Sequence, residues 1–148
     1  MAIRETILSN LETELKKISV ANEFNTNVNL VSRDFKGFDQ CQSFELPALF
    51  IVDDGTDDRM GMYKENSTIY VLRKMQVFMV GYVRATKNIS TVFNKFLSDI
   101  RKKIESISLG DNVRDAIEGD RTVVFSAKNH LIFQMPIEIL YFYDKSNP

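Results

Sequence analysis

The chain has 148 residues, of which 44% are hydrophobic and 26% are charged, values typical of one folded domain of ordinary size. Nineteen basic residues nearly balance twenty acidic ones, so the formal net charge is -1 and no overall positive field attracts nucleic acid. The longest apolar runs, such as residues 48–52, are far shorter than the ~20 residues of a membrane-spanning helix. We therefore expect a single soluble domain over residues 1–148, without membrane or nucleic-acid sequence recognition, that is made in a cytoplasm.

The first predicted element is an amphipathic helix over residues 2–18. A turn follows over 22–27, and a short strand runs from Val28 to Ser32. The helix prediction rests on six apolar residues at helical spacing among charged and amide side chains: Ile3, Ile7, Leu8, Leu11, Leu15 and Ile18.

Residues 33–46 have no clear hydrophobic period, although Phe35, Phe38 and Phe44 are spread through this polar stretch. One interpretation is a loop that packs these aromatic side chains onto its own domain. The other is a contact segment that presents them to another subunit. The sequence leaves both interpretations open.

Residues 47–52 form a short run that is apolar throughout, which predicts a strand buried on both faces. Pro47 suits its first position, because proline has no N–H to give to a neighbouring strand. The acidic sequence DDGTDD follows over 53–58, and its Asp54-Gly55 pair favours a turn. Residues 54–67 are predicted to be a long loop or an extended hairpin tip.

Two long segments alternate between apolar and other side chains, and both are predicted to be strands. The first covers residues 68–84, in which Gly81 indicates a bulge or bend. The second covers residues 130–143, in which Pro136 places the strand at an edge or in a bulge. Residues 144–148 are predicted to be a free tail.

A second amphipathic helix is predicted over residues 89–107, with Asn88 as its N-cap. Residues 109–120 are then a polar connection that includes a helical turn at 113–117. A short strand over 122–125 precedes the last strand. The order of elements predicts an α+β fold with a mixed, mostly antiparallel β-sheet packed on one side by the two helices.

The lengths of the two long strands predict association. A domain of this size is ~38 Å across, whereas straight strands over residues 68–84 and 130–143 would span ~55 Å and ~46 Å. The strands must bend or project as a long β-hairpin. A projecting hairpin with unpaired edges invites aggregation unless it is covered, and we expect a second copy of the chain to cover it.

The acidic turn is the best candidate for a metal site, since hard cations prefer clustered carboxylates. Its four aspartates are Asp53, Asp54, Asp57 and Asp58. The spacing does not match an EF-hand loop, because Gly55 does not occupy the sixth position. A solvated turn is the favoured interpretation, and weak divalent binding at a subunit boundary is the alternative.

No other residues form a recognisable catalytic set. Cys41 is the only cysteine and His130 the only histidine, and they are far apart in sequence. The chain has neither the glycine-rich loops that hold phosphates nor the spacings of hydrolase and zinc motifs. We therefore expect no enzyme activity and no cofactor.

Four segments carry a family resemblance: L46-P47-A48-L49-F50-I51-V52-D53, V77-F78-M79-V80-G81-Y82-V83-R84, S108-L109-G110-D111 and I137-E138-I139-L140-Y141-F142-Y143. Together with the helices before and between them, they resemble the tail terminator, or tail completion, family of long-tailed bacteriophages. The resemblance covers residues 3–143.

The resemblance implies a structural virion protein that forms a ring, generally a hexamer, through heterologous contacts. Such a ring caps the finished tail tube, ends tube polymerisation and presents a surface to the head connector or neck proteins during head-tail joining. Its partners would be further copies of itself, the tail tube protein and the connector. Its location would be the virion tail, after assembly in the host cytoplasm.

The two aperiodic segments supply the expected subunit contacts, because methionine, aromatic and arginine side chains are favoured in interfaces. These residues are Arg33, Phe35, Phe38 and Phe44 in the first segment, and Asp57, Asp58, Arg59, Met60, Met62 and Tyr63 in the second. The alternative is that the two segments are mobile loops without a contact role. A head-closure or neck adaptor protein is the alternative function. A metal-dependent enzyme that uses residues 53–58 is a distant alternative.

Overall fold

A computed structural model describes residues 2–148 as two helices and seven strands. In chain order these are α1 (Ile3–Leu15), β1 (Leu30–Ser32), β2 (Ala48–Val52), β3 (Asp57–Glu65), β4 (Thr68–Arg84), α2 (Ile89–Ser106), β5 (Val113–Glu118), β6 (Val123–Ser126) and β7 (His130–Asp144).

The long strands β4 and β7 form the centre of one sheet and pair antiparallel along their whole length, from Tyr70 opposite Asp144 to Arg84 opposite His130. Each of these long strands is flanked on its outer side by two short strands, which follow one another along its length. Strands β2 and β3 both pair with β4, whereas β5 and β6 both pair with β7. Strand β1 is parallel to β2, and every other pair is antiparallel. The structure confirms the predicted α+β fold with a mixed, mostly antiparallel sheet.

Both helices pack on one face of the sheet, which we call the helix-covered face. The main hydrophobic core lies there, because alternate residues of β4 and β7 point towards the helices. Its largest contributors are Ile7, Leu8, Leu11 and Leu15 from α1, Phe93, Phe96, Ile100 and Ile104 from α2, Val71, Met75, Val77, Met79 and Val83 from β4, and Phe133, Met135, Ile137, Ile139 and Tyr141 from β7.

The opposite face of the sheet, which we call the open face, carries a smaller cluster at the end occupied by β1 and β2. Leu46, Ala48, Phe50 and Tyr82 are buried there, and Phe38 packs against them from the segment before β2. Within the segment before β2, Lys36 forms an ion pair of 2.9 Å with Glu45.

Gly81 does not form the predicted bulge, since β4 keeps its register with both neighbours there. Its role is steric: a Cβ at position 81 would lie 2.0 Å from Cε1 of Phe133. The glycine therefore makes room for an aromatic ring that is fully buried and packs edge-on against Phe93 and Phe96.

The prediction for Pro136 was also wrong, because β7 is a central strand without a bulge at this residue. The backbone N–H of Gly119 donates to the carbonyl of Pro136 at 2.7 Å, so this carbonyl faces the outer side of β7. In an extended strand the N–H and C=O of one residue point the same way. The missing N–H of Pro136 thus falls in the gap between β5 and β6.

Residues 113–118 form β5 rather than the predicted helical turn. A register shift between Val113 and Asp115 interrupts the alternation that would have marked this strand. The first helix ends at Leu15 rather than at residue 18, and α2 begins after Asn88, whose side chain makes no capping hydrogen bond.

The C-terminal tail is shorter than predicted. Asp144 is the last residue of β7, and the backbone N–H of Lys145 donates to the carbonyl of Ile69 at 2.8 Å. The chain end is therefore tied to the beginning of β4 through Lys145.

Candidate subunit-interface surfaces

The predicted loop over residues 54–67 is mostly the strand β3, which forms a hairpin with residues 68–75 of β4. The turn consists of Asn66 and Ser67, with φ angles of 48° and 70°. Two consecutive left-handed residues match the twist of the flanking strands in a two-residue hairpin. The extended-hairpin interpretation of this segment is therefore confirmed, and the long-loop interpretation is wrong.

Strand β3 lies at an edge of the sheet, because it pairs with β4 alone. A two-residue turn makes Glu65 and Thr68 the first hydrogen-bonded pair, so alternation directs the backbone groups of Lys64 and Met62 outwards. The carbonyl of Ile69, opposite Lys64, accepts from Lys145 on the far side of β4, as this alternation requires. The outer edge of β3 therefore presents unpaired backbone groups.

The predicted interface residues of the hairpin occupy both faces of the sheet. Met62, opposite Val71, lies on the helix-covered face, and Met60 lies in a bulge between Arg59 and Gly61. Each of these two methionine side chains is 52% exposed. The hairpin thus extends apolar surface into solvent at the edge of the sheet.

Tyr63 is less available for contact with another subunit than the sequence predicts. It lies on the open face, where its ring stacks on Tyr70 with centroids 5.1 Å apart. The guanidinium of Arg114 lies over the same ring at 5.1 Å from its centroid. Tyr63 therefore contributes to the packing of its own sheet.

Asp57 begins β3 at the centre of a polar network. Its Oδ2 accepts hydrogen bonds of 2.6 Å from both Nη1 of Arg4 and the hydroxyl of Tyr141, and its Oδ1 accepts from Nη1 of Arg73 at 3.2 Å. The other terminal nitrogen of Arg4 donates to both carboxylate oxygens of Asp53 at 2.7 Å. We call these five residues the Asp57 cluster, which joins α1, β3, β4 and β7.

Burial, and then the hydrogen bond to Asp57, raise the pKa of Tyr141 to about 12. Burial acts to lower the pKa of Arg4, but its hydrogen bonds to Asp53 and Asp57 outweigh burial, so this pKa is raised. The cluster therefore consists of a neutral phenol, two carboxylates and two guanidinium groups that satisfy one another. A surface cavity of about 360 Å³ lies beside it.

The acidic turn is not arranged around a central point, as a metal site would require. Asp53 and Asp57 bind Arg4, and Asp54 accepts a hydrogen bond of 3.0 Å from the backbone N–H of Thr56. Asp58 is exposed. Among residues 2–148, no group of three or more His, Cys, Asp or Glu side chains is placed to hold a metal ion.

Within residues 33–46, one phenylalanine fits the interpretation of a loop packed on its own domain, and two fit the interpretation of a contact segment. Phe38 packs on its own domain: its ring stacks on His130 with centroids 4.1 Å apart and meets Tyr82 edge-on. Phe44 is 77% exposed, and Phe35 is 57% exposed although one edge meets Phe50. Arg33 forms an ion pair with Glu5 of α1. Phe35 and Phe44 are the members of this group that remain available for contact.

Cys41 and His130 have the environments of packing residues. Burial raises the pKa of the Cys41 thiol, whereas a catalytic thiol needs a lowered pKa. The sulfur lies 3.7 Å from the carbonyl of Gly37, and the ring of His130 is covered by Phe38.

The opposite edge of the sheet carries a surface that sequence reasoning missed. Strand β5 pairs with β7 alone, and a groove of about 300 Å³ lies between β5 and α2. We call it the acidic groove. Three of its lining residues are buried and apolar, namely Ile104, Ala116 and Met135. The others are the exposed Ile117 and the charged residues Arg101, Glu105, Asp115 and Glu118.

No protein-family model matches this chain, and no curated protein matches it significantly. Within residues 2–148, neither helix has the length and apolar character needed to cross a membrane.

Proposed function

We propose that the chain is a structural subunit of a bacteriophage tail that associates into a closed ring, generally a hexamer, at the end of the tail tube. The order of elements and the four segments named above support the family, and the two free edges of the sheet support the ring. The ring ends polymerisation of the tube and offers its outer surface to the head connector. No covalent bond is made or broken.

One observation carries this proposal: the sheet has a free edge on each side, at β3 on one side and at β5 on the other. A contact between two different edges is heterologous, and repeated heterologous contacts close into a ring when the rotation permits. An isolated chain would leave both edges exposed to uncontrolled strand addition. A ring covers both edges at once.

The exposed side chains support the same proposal. Phe35, Phe44, Met60 and Met62 are large apolar residues that the single subunit leaves in solvent. Their composition is that of interface residues rather than of an ordinary surface. The partners are accordingly further copies of the chain, the tail tube protein and the connector.

The test uses tail tubes assembled from the tube protein of the phage that encodes this chain. Electron microscopy of tubes with and without the chain should reveal a cap at one end, and elongation should stop when the chain is present. Tubes that keep growing without a cap would contradict the proposal. Binding to filled heads in preference to tubes would instead support a neck adaptor, and an activity that requires Asp53 or Asp57 would support an enzyme.

A further inference from the structure

We infer that subunits join by strand addition at the end of the sheet that holds β1, so that β1 of one copy pairs antiparallel with β6 of the next and Val31 lies opposite Val124. The inference rests on the proposed ring and names the two strands that form its contact. The occupant of each of these two edges is therefore a second copy of this chain.

The sheet is wider at this end than at the end that holds the β3–β4 hairpin. Here the neighbours are β1, β2, β4, β7 and β6, whereas at the hairpin end they are β3, β4, β7 and β5. Strand β1 therefore lies one strand spacing, ~4.8 Å, further out than β3. A copy that continues the sheet meets β1 before it meets β3.

The edges of β1 and β6 lie at the same height of the sheet. Val31 is level with Leu49 of β2 and Gly81 of β4. Gly81 is in turn level with Phe133 of β7 and Val124 of β6. A copy that continues the sheet in the same orientation therefore brings its Val31 alongside Val124. The two strands run antiparallel there, because one parallel and three antiparallel steps separate β1 from β6.

Strand β6 offers free backbone groups at Val124. The N–H of Ala127 donates to the carbonyl of His130 at 3.0 Å, so these two residues form a hydrogen-bonded pair. Alternation then directs the backbone groups of Phe125 towards β7 and those of Val124 away from it. Among residues 2–148, Val124 has no backbone partner on this outer side.

Strand β1 offers the matching groups at Val31. The carbonyl of Pro136, on the open face of β7, points to the outer side, so residues of β7 on the helix-covered face point towards β4. Strand β1 runs in the same direction as β7, and the handedness of a strand links its direction, its side-chain face and its hydrogen-bonding side. Val31 is on the helix-covered face, so its N–H and C=O point away from β2.

The side chains of this register share faces and chemistry. Val124 is 44% exposed and Phe125 is 61% exposed in the single subunit. With Val31 opposite Val124, Leu30 lies opposite Phe125. Both are on the open face, because Leu30 packs on the small cluster there and Phe125 is opposite Ile132, which packs on the same cluster. The contact thus covers an exposed ring with an apolar neighbour.

The same register brings opposite charges together. Three residues beyond Val31 along the chain lies Asp34, and three residues before Val124 lies Arg121. Both side chains are exposed, and neither forms an ion pair among residues 2–148. Antiparallel pairing places them opposite each other, which favours this register over a shifted one.

The other edge strand on the same side of the sheet, β5, is protected against strand addition. The carboxylate of Asp115 accepts the N–H of Ala116 at 2.9 Å and so occupies a donor that β5 directs outwards. In the described part of the chain, β6 has no side chain in the equivalent role. The free edge on this side is therefore open to a partner at β6 and blocked at β5.

A proline in β6 tests the backbone contact. Val124→Pro removes an N–H that the single subunit leaves free, so the ladder between β6 and β7 stays intact. We expect the folded variant to associate at least about tenfold more weakly than the unchanged chain, because the contact loses a main-chain hydrogen bond. Val124→Ala is the control, since it shortens the side chain and keeps the N–H. Circular dichroism checks folding, and native mass spectrometry measures assembly. A folded Val124→Pro that assembles as well as Val124→Ala would overturn the inference.

A disulfide gives a readout that does not depend on the proline variant. In a chain with Cys41→Ser, Leu30→Cys and Phe125→Cys, oxidation should join subunits into a ladder that ends at the ring. Four strand spacings, ~19 Å, separate the two positions within one subunit, beyond the ~7 Å that a disulfide spans between Cα atoms. The control replaces Phe125→Cys by Val124→Cys, which lies on the opposite face and should not link.

The outcomes separate the contact from the function. Rings that form without the disulfide at positions 30 and 125 would refute this contact and leave the proposed function intact. Linked rings that fail to cap tail tubes would refute the function and leave the contact intact.

Discussion

The hydroxyl of Tyr141 donates a hydrogen bond of 2.6 Å to Oδ2 of Asp57, although the two residues are 84 positions apart. Tyr141 belongs to the central strand β7, and Asp57 is the first residue of the edge strand β3. The bond fixes the base of the hairpin that β3 forms with β4. The hairpin is therefore held in place by the core of its own subunit.

Replacing Asp57 should loosen this base. Asp57→Ala leaves Tyr141 and the guanidinium groups of Arg4 and Arg73 without their shared acceptor, so we expect the free energy of unfolding to fall by about 2 kcal/mol. Asp58→Ala is the matched control, because Asp58 is exposed and its loss should cost less than about 0.5 kcal/mol. Urea unfolding measures both. Equal effects of the two substitutions would contradict the role of the cluster.

Stability should decline at alkaline pH because of Tyr141. Its pKa is about 12 in the folded chain, against ~10 for an unfolded tyrosine, so folding favours the neutral phenol. The resulting stabilisation is complete below pH ~10 and is lost as the pH rises towards 12, by up to about 3 kcal/mol. Unfolding measured between pH ~9 and ~12 should show this loss, and Tyr141→Phe should remove it. An unchanged slope in Tyr141→Phe would refute the assignment.

The close approach of Gly81 and Phe133 predicts a strong steric coupling. Gly81→Ala should lower the free energy of unfolding by at least about 2 kcal/mol, because the added Cβ overlaps the ring. Gly37→Ala is the control, since its Cβ would meet nothing nearer than 3.8 Å. Combining Gly81→Ala with Phe133→Leu should cost less than the sum of the single changes by more than about 1 kcal/mol. Simple additivity would contradict the steric account.

The two environments within residues 33–46 predict opposite phenotypes. Phe38→Ala removes a ring that packs on His130 and Tyr82, and should cost about 2 kcal/mol of stability. Phe44→Ala removes an exposed ring and should change stability by less than about 0.5 kcal/mol while it weakens association. Thermal unfolding and native mass spectrometry separate the two effects. A destabilised Phe44→Ala with normal assembly would contradict the contact role.

Hydrophobic periodicity was sufficient to predict the bounds of the elements that form most of the core. Strand β4 has the predicted bounds, and β7 differs by one residue, because both alternate over many residues. Helix α2 also agrees with its apolar stripe to within one residue. These segments pack on one face, so burial and sequence period coincide there.

Hydrophobic periodicity does not define the edge strands, for a physical reason. Both β3 and β5 contain a register shift, at Met60 and at Arg114, and one extra residue reverses the alternation that follows. They are also half solvated, so charged side chains occupy positions that a core strand would fill with apolar ones. The Asp57 cluster could not be predicted from the sequence, because its members, Arg4 and Tyr141 among them, are brought together only by tertiary folding.

The mass of the purified chain in solution, measured by native mass spectrometry, tests the central claim most directly. A subunit whose two sheet edges join to each other should form one closed assembly, generally a hexamer. A monomer that persists at high micromolar concentration would contradict the claim. A dimer that uses the same surface on both partners would contradict it as well, because an isologous contact cannot join the two different edges of the sheet.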